Sequence, residues 1–114
     1  AVLPAGRGRV SAIPYRWSAE HAQWETAGEA QVTDWAGLAA GIVKPTFVCG
    51  EIDAAGSEIL RRLKGKVILA PPAQSLRRAG YLAEIGWERW RAGRVDDPAA
   101  LAPIYAGRPE GSAE

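Results

Sequence analysis

The first third of the chain alternates between apolar and polar residues, which is typical of β-strands with one solvated face. Residues 2–5 are apolar, and Gly6-Arg7-Gly8 after them indicates a hairpin turn. Residues 10–17 predict a second strand, which Pro14 confines to an edge or a bulge because proline lacks an amide donor. Residues 22–32 predict a third strand. The short links between these strands predict an antiparallel meander.

The hydrophobic period changes after Thr33, which can cap a short helix that ends near Gly41. Residues 46–50 predict a short apolar strand, and residues 53–63 predict a second helix that stops before Gly65. Residues 66–70 predict a strand covered on both faces, because Val-Ile-Leu offers no polar side. An alternation of helix and strand at this spacing implies right-handed crossovers and parallel pairing.

A third helix is predicted over residues 74–92, and its apolar residues fall on two sides. At 100° per residue, one stripe is predicted to lie on the sheet. It consists of Leu76, Ala79, Gly80, Ala83, Trp87 and Trp90. Tyr81 and Ile85 point to the opposite side. Either the tail covers them, through Leu101, Ile104 and Tyr105 after the turn at 96–98, or they form a surface for a partner or a missing domain.

This order of elements predicts an α/β fold. The expected architecture is a mixed five-stranded sheet, with three antiparallel and then two parallel strands, and three main helices on its faces. Residues 1–114 are expected to form a single domain, because their number fits the usual size of one. Residues 107–114 are expected to form a flexible tail.

Composition narrows the functional classes. Apolar residues make up 47% of the chain and charged residues 24%, which predicts a folded domain rather than a disordered one. The longest apolar run, residues 36–43, is too short to cross a bilayer, and the first residues do not resemble a signal peptide, so a cytoplasmic location is expected. One cysteine and one histidine exclude a disulfide framework and a classical zinc site within one chain.

Few residues suggest chemistry. His21 is interpreted as a solvated loop residue, Cys49 as a small core residue, and Asp96-Asp97 as a turn and helix cap. The five tryptophans are expected to pack in the core rather than to stack on bases. No catalytic, cofactor-binding or metal-binding residue is predicted. Direct RNA contact is not expected either, because the net charge is only +1 and the arginines at 77, 78, 89 and 91 do not share one helix face.

Several short motifs follow one another in the order of a known family. The most specific are Arg77-Arg78-Ala79-Gly80-Tyr81-Leu82-Ala83, Gly93-Arg94-Val95-Asp96-Asp97-Pro98 and Leu101-Ala102-Pro103-Ile104-Tyr105. Upstream are Val2-Leu3 through Arg7 and Val10, then Thr33-Asp34-Trp35-Ala36-Gly37-Leu38 and Phe47-Val48-Cys49-Gly50. Together they resemble the second half of the TsaB (YeaZ) family, the glycoprotease-like proteins of bacterial tRNA threonylcarbamoyladenosine synthesis. The resemblance covers residues 1–108. The chain departs from the family hairpin at Pro4, Arg9 and Ser11, where the family has Asp, Glu and Tyr.

The resemblance implies a ribonuclease-H-like subdomain of the actin-like ATPase fold, which the family shares with the catalytic subunit TsaD. It implies a non-catalytic scaffold whose parent protein pairs with TsaD and TsaE. The nucleotide-binding half, with its Asp-Thr-Ser strand and Gly-Pro-Gly-Ser-Phe-Thr-Gly loop, has no counterpart here, and Met is absent from position 1. The chain is therefore expected to be a C-terminal fragment that binds no cofactor.

Two other functions stay open. The family's glycoprotease label suggests a peptidase-type hydrolase fragment, which needs a metal or nucleophile cluster that one His and one Cys cannot easily supply. The other is an α/β protein-interaction module that self-associates or binds an unknown partner through Tyr81 and Ile85.

Overall fold

A computed structural model describes residues 1–102 of the chain. The expected packing of Ile104 and Tyr105 and the tail at 107–114 lie outside the described residues. Strands and helices follow one another in the order β1 (Val2–Pro4), β2 (Arg9–Ala12), β3 (Tyr15–Ser18), β4 (Gln23–Thr26), β5 (Gln31–Asp34), α1 (Trp35–Gly41), β6 (Thr46–Val48), α2 (Ala54–Arg61), β7 (Val67–Leu69), a 3₁₀ turn (Pro72–Gln74) and α3 (Ala79–Arg91).

The strands of residues 1–102 form three separate sheets. β1, β2 and β5 are antiparallel, β3 and β4 form a hairpin, and β6 and β7 are parallel. The mixed α/β class is therefore confirmed, whereas the single five-stranded sheet is not. The strand predicted over residues 10–17 divides into β2 and β3 around Pro14, whose carbonyl accepts from the Ala27 amide at 2.8 Å. Because proline cannot donate to a ladder, the pairing breaks there and the chain leaves the sheet as a hairpin.

The antiparallel and parallel sheets meet edge to edge at Gly50. The Val2 amide donates to the Cys49 carbonyl at 2.8 Å, and the Glu51 amide donates to the Val2 carbonyl at 3.0 Å. Gly50 has a φ of +119°, and a Cβ at this position would overlap the Val2 carbonyl oxygen. Glycine is required here because only a residue without a side chain combines this φ with such a close approach.

The core lies on one face of these two adjoining sheets. Val2, Val10 and Val48 point to this face and are buried under Trp35 of α1 and Leu60 of α2. Leu60 is fully buried, and α1 and α2 contact each other. Burying these apolar side chains against one another is the main favourable term in the stability of the fold.

Aspartates determine where the first two helices begin. The Asp34 carboxylate accepts from the Gly37 amide at 2.7 Å, and the Asp53 carboxylate accepts from the Gly56 amide at the same distance. The prediction that Thr33 caps α1 is therefore wrong by one residue. Thr33 instead pairs with Val10 in the sheet, and Asp34, the last residue of β5, supplies the capping carboxylate.

The other face of the same sheets is open. Because side chains alternate along a strand, the residues between the buried valines point away from the core. We call the exposed apolar residues on this side the open face: Leu3, Val32, Phe47 and Ile68, whose exposed fractions are 42%, 38%, 51% and 66%. The prediction that residues 66–70 are covered on both faces is wrong, because Ile68 is exposed and no helix within residues 1–102 packs over it.

Helix α3 stands away from the core. None of its residues is buried, so the predicted packing of its apolar stripe on the sheet is wrong for this structure. The radius of gyration, 16.2 Å, exceeds the roughly 13 Å expected of a compact domain of this length. The larger radius agrees with two elements that contribute no buried residue, α3 and the hairpin of β3 and β4.

Candidate functional site

The linker from β7 to α3 is held by local contacts. Pro71 and Pro72 restrict its backbone and lead into the 3₁₀ turn. The Ser75 hydroxyl accepts from the Gly50 amide at 3.5 Å. The Arg77 guanidinium forms an ion pair with the Glu51 carboxylate, across 26 residues of sequence. These contacts tie the linker to the end of β6, and α3 begins two residues beyond Arg77.

Tyr81 and Ile85, the predicted interaction residues, both lie on α3 and are exposed, at 62% and 52%. Their neighbour Leu82 is 74% exposed. An isolated helix of 13 residues is marginally stable in water, and most helical stability in proteins comes from the packing of an apolar face. The exposed apolar residues of α3 therefore indicate a surface that packs against something outside residues 1–102.

The other side of α3 is equally uncovered. Trp87 and Trp90 are 57% and 61% exposed, and their rings stack on each other with centroids 4.9 Å apart and an interplanar angle of 26°. Stacking one turn apart on a helix removes only one ring face from water. The apolar period of α3 predicted that both tryptophans lie in the core, whereas both lie on the surface.

The hairpin of β3 and β4 carries a second exposed aromatic pair. Trp17 and Trp24 face each other across the strands at 5.8 Å in an edge-to-face arrangement, and they are 54% and 64% exposed. Of the five tryptophans only Trp35 is buried, so core packing is confirmed for one and wrong for four. Cross-strand aromatic pairs stabilise a hairpin without needing a core, which accounts for the position of Trp17 and Trp24.

His21 lies in the turn of this hairpin and is exposed, as predicted. Its Nδ1–H donates to the Glu25 carboxylate at 2.6 Å, and its backbone amide donates to the Ser18 hydroxyl at 3.3 Å. The hydrogen bond from His21, assisted by a weaker one from Gln23, lowers the pKa of Glu25 below its ordinary value. This arrangement orders the turn, and both side chains stay open to solvent.

Replacing His21 with alanine is expected to raise the pKa of Glu25 towards its ordinary value, about 4.3. The folded state holds this pKa below that of the unfolded chain, so the contact stabilises the hairpin above pH 4 to 5. Its contribution is lost as the pH falls through the lowered pKa. A carboxyl-detected NMR titration measures the shift. Replacing Gln23 with alanine is the control and is expected to raise the pKa less. An unchanged pKa in His21→Ala would contradict the assigned cause.

A crevice of about 570 Å³ opens where β1, β6 and β7 end. Its polar lining includes Arg9, Glu51 and Asp53. Both carboxylates already have partners, since Glu51 pairs with Arg77 and Asp53 caps α2. Cys49, partly buried, directly follows β6. The acidic groups that line the crevice therefore serve the fold.

Residues 1–102 show neither a metal-binding group of side chains nor a helix suited to crossing a membrane. Within this part of the chain, no three side chains of His, Cys, Asp or Glu lie together in a way that could hold a metal ion. Among the helices described, none is long and apolar enough to cross a membrane.

Asp97 forms the turn expected of it, because its carboxylate accepts from the Ala99 amide at 3.0 Å.

Comparison with protein-family models, with characterised proteins and with solved structures finds no significant match to this chain.

Proposed function

We propose that this chain is a non-catalytic scaffold subdomain of a TsaB-like protein, which supports tRNA threonylcarbamoyladenosine modification in the cytoplasm. Under this proposal the parent protein pairs with TsaD and TsaE, and residues 1–114 bind no cofactor and do not contact RNA directly. The motif order in the sequence, described above, is the origin of the proposal. The finer fold assignment that goes with it is a ribonuclease-H-like subdomain of the actin-like ATPase kind.

The observation that carries the proposal is which strands lie next to one another. β5, β2 and β1 are antiparallel, and the backbone hydrogen bonds of Val2 join β1 to the segment after β6, beside which β7 runs parallel. The strands belong to separate sheets, but this bridge at Val2 is compatible with the order β5, β2, β1, β6, β7, with α1 and α2 on one face. Apart from the β3–β4 hairpin, three antiparallel strands are followed by helix, strand, helix, strand and helix, which is the order that the TsaB resemblance predicts, so the arrangement supports it.

A second candidate function is a protein-interaction module, and α3 is the observation that favours it. Exposed apolar residues occupy most of the circumference of this helix, apart from the side that carries Glu84, Glu88 and Arg91. They are Tyr81, Leu82, Ile85, Trp87 and Trp90. A helix with so wide an apolar surface normally packs against other elements. A scaffold of the TsaB kind and an interaction module are compatible, because a scaffold acts through the surfaces that it presents. The hydrolase alternative is not favoured by the crevice, whose Glu51 and Asp53 are engaged in structural contacts.

Replacement of TsaB in a reconstituted bacterial modification system tests the proposal. The gene product that contains residues 1–114 is expected to restore threonylcarbamoyladenosine on tRNA when it is added with TsaD and TsaE in place of TsaB. Mass spectrometry of the digested nucleosides measures the product. Omission of TsaD is the control and abolishes the signal. A folded gene product that restores no modification contradicts the proposal.

The gene provides an independent check. The codons that precede Ala1 are expected to encode the family's Asp-Thr-Ser strand and its Gly-Pro-Gly-Ser-Phe-Thr-Gly loop. A start codon immediately before Ala1, or an unrelated domain there, contradicts the TsaB assignment and leaves the interaction module as the function.

A further inference from the structure

Two exposed apolar surfaces of this chain fit each other. One is the open face, defined above. The other is the α3 stripe, which we define as Ala79, Ala83, Trp87 and Trp90, the residues of α3 that fall on one side at 100° per residue. We infer that α3 of a second copy lies across the open face, and that the two copies exchange their helices reciprocally. This inference states what binds to the interaction module, namely a second copy of the chain. It does not depend on the proposed role in tRNA modification.

The dimensions of the two surfaces agree. A helix of 13 residues is about 20 Å long. Five adjoining strands with a spacing of about 4.8 Å span about 19 Å. Because Val2 is level with Gly50, Phe47 and Ile68 lie about 13 Å along the strands from Leu3 and Val32. One helix therefore covers most of the open face when it lies diagonally across the strands. The small residues at the start of the stripe allow close approach to the strands, and Trp87 and Trp90 supply most of the apolar area.

The linker favours a second copy over closure within one chain. Pro71 and Pro72 stiffen it, the Ser75 hydroxyl holds it to the Gly50 amide, and Arg77 pairs with Glu51. In this structure these contacts hold the linker as far as Arg77, and no residue of α3 is buried against the sheet of its own chain. A helix supplied by another copy leaves these contacts intact. Short, constrained connections of this kind promote the exchange of an element between copies.

The buried area distinguishes this arrangement from a simple pairing of two α3 helices. From the exposed fractions of the six large side chains in the two surfaces, one helix that fully covers one open face removes roughly 600 Å² from water. The reciprocal exchange has two such contacts and removes roughly 1,200 Å², which reaches the lower end of stable protein interfaces. A single helix pair has one contact and stays well below that range. The area therefore supports two helix-on-sheet contacts related by a twofold axis.

Sedimentation velocity on the 114-residue chain is the first test, and a dimer is expected. Trp87→Glu on the stripe and Ile68→Glu on the open face place a charge in the contact, so each is expected to raise the dimer dissociation constant at least about 30-fold. The matched control is Tyr81→Glu, on the same helix but on its opposite side, which is expected to leave the dimer unchanged. All three side chains are more than half exposed, so the variants keep the core intact, which circular dichroism checks.

A double variant makes the test specific for the exchanged contact. The double change Trp87→Lys with Ile68→Glu places opposite charges on the helix of one copy and the sheet of the other, so it is expected to weaken the dimer less than the two single changes added together. A monomer at high concentration overturns the inference. A dimer that tolerates Ile68→Glu but dissociates with Tyr81→Glu also overturns it and assigns the contact to the other side of α3. None of these outcomes alters the result of the TsaB replacement.

Discussion

Replacing Leu60 with alanine is expected to lower the free energy of unfolding by about 3 kcal/mol, within the range of about 2 to 5 seen for such changes in cores. Leu60 is fully buried and packs with Val2, Val10, Val48 and Trp35. The loss combines the transfer of the side chain from water with the cavity that its removal leaves. The effect is large for this chain because only five apolar residues of the described part are buried.

Urea denaturation followed by circular dichroism measures the loss. Leu101→Ala is the matched control, because it makes the same chemical change at a side chain that is 66% exposed. It is expected to change the free energy of unfolding by no more than about 0.5 kcal/mol. Equal losses in the two variants would show that the core is not where the structure has it.

Replacing Gly50 with alanine is expected to separate the two sheets where they meet and to destabilise the fold by about 2 kcal/mol or more. Its φ of +119° is unfavourable for any residue with a Cβ, and that Cβ would also overlap backbone atoms of Val2. Backbone atoms cannot move aside as a flexible side chain can. The hydrogen bonds between Val2 and the residues that flank Gly50 are therefore expected to break.

Hydrogen exchange locates this effect. The amides of Val2 and Glu51 are expected to exchange faster in Gly50→Ala. The exchange of amides within the β1–β2 ladder is expected to change only as far as the global stability changes. Gly41→Ala is the control, because a Cβ there meets nothing within 4 Å and the φ is ordinary. Unchanged protection of Glu51 in Gly50→Ala would falsify the bridge between the sheets.

Local patterns predicted the elements well where one signal dominated. The helix start and stop signals around residues 33–65 predicted α1 and α2, although the cap of α1 is Asp34 and not Thr33, and the short apolar runs predicted β6 and β7. In these segments the apolar period and the stop signal agree with the tertiary packing. The strands around Pro14 were predicted less well, because a missing amide donor indicates that pairing is interrupted but not where the chain goes next.

The candidate site was predicted in part. Tyr81 and Ile85 were expected to form a surface unless the tail covers them, and both are exposed in the described part. Trp87 and Trp90 were assigned to the core because amphipathic periodicity identifies which residues share a side and says nothing about what that side meets. One feature of the sequence could have indicated that α3 is exposed. Apolar residues occur on both sides of this helix, whereas a helix packed on one sheet needs them on one side only.

The amino-acid sequence by itself determined the order of strands and helices, because caps, turns and apolar periods act over a few residues. Only the tertiary structure decided which apolar faces are buried. Some contacts join segments that are distant in sequence, such as Arg77 with Glu51 and Val2 with the residues around Gly50. Patterns over a few residues cannot predict such contacts. In the described residues those contacts leave the open face and α3 uncovered.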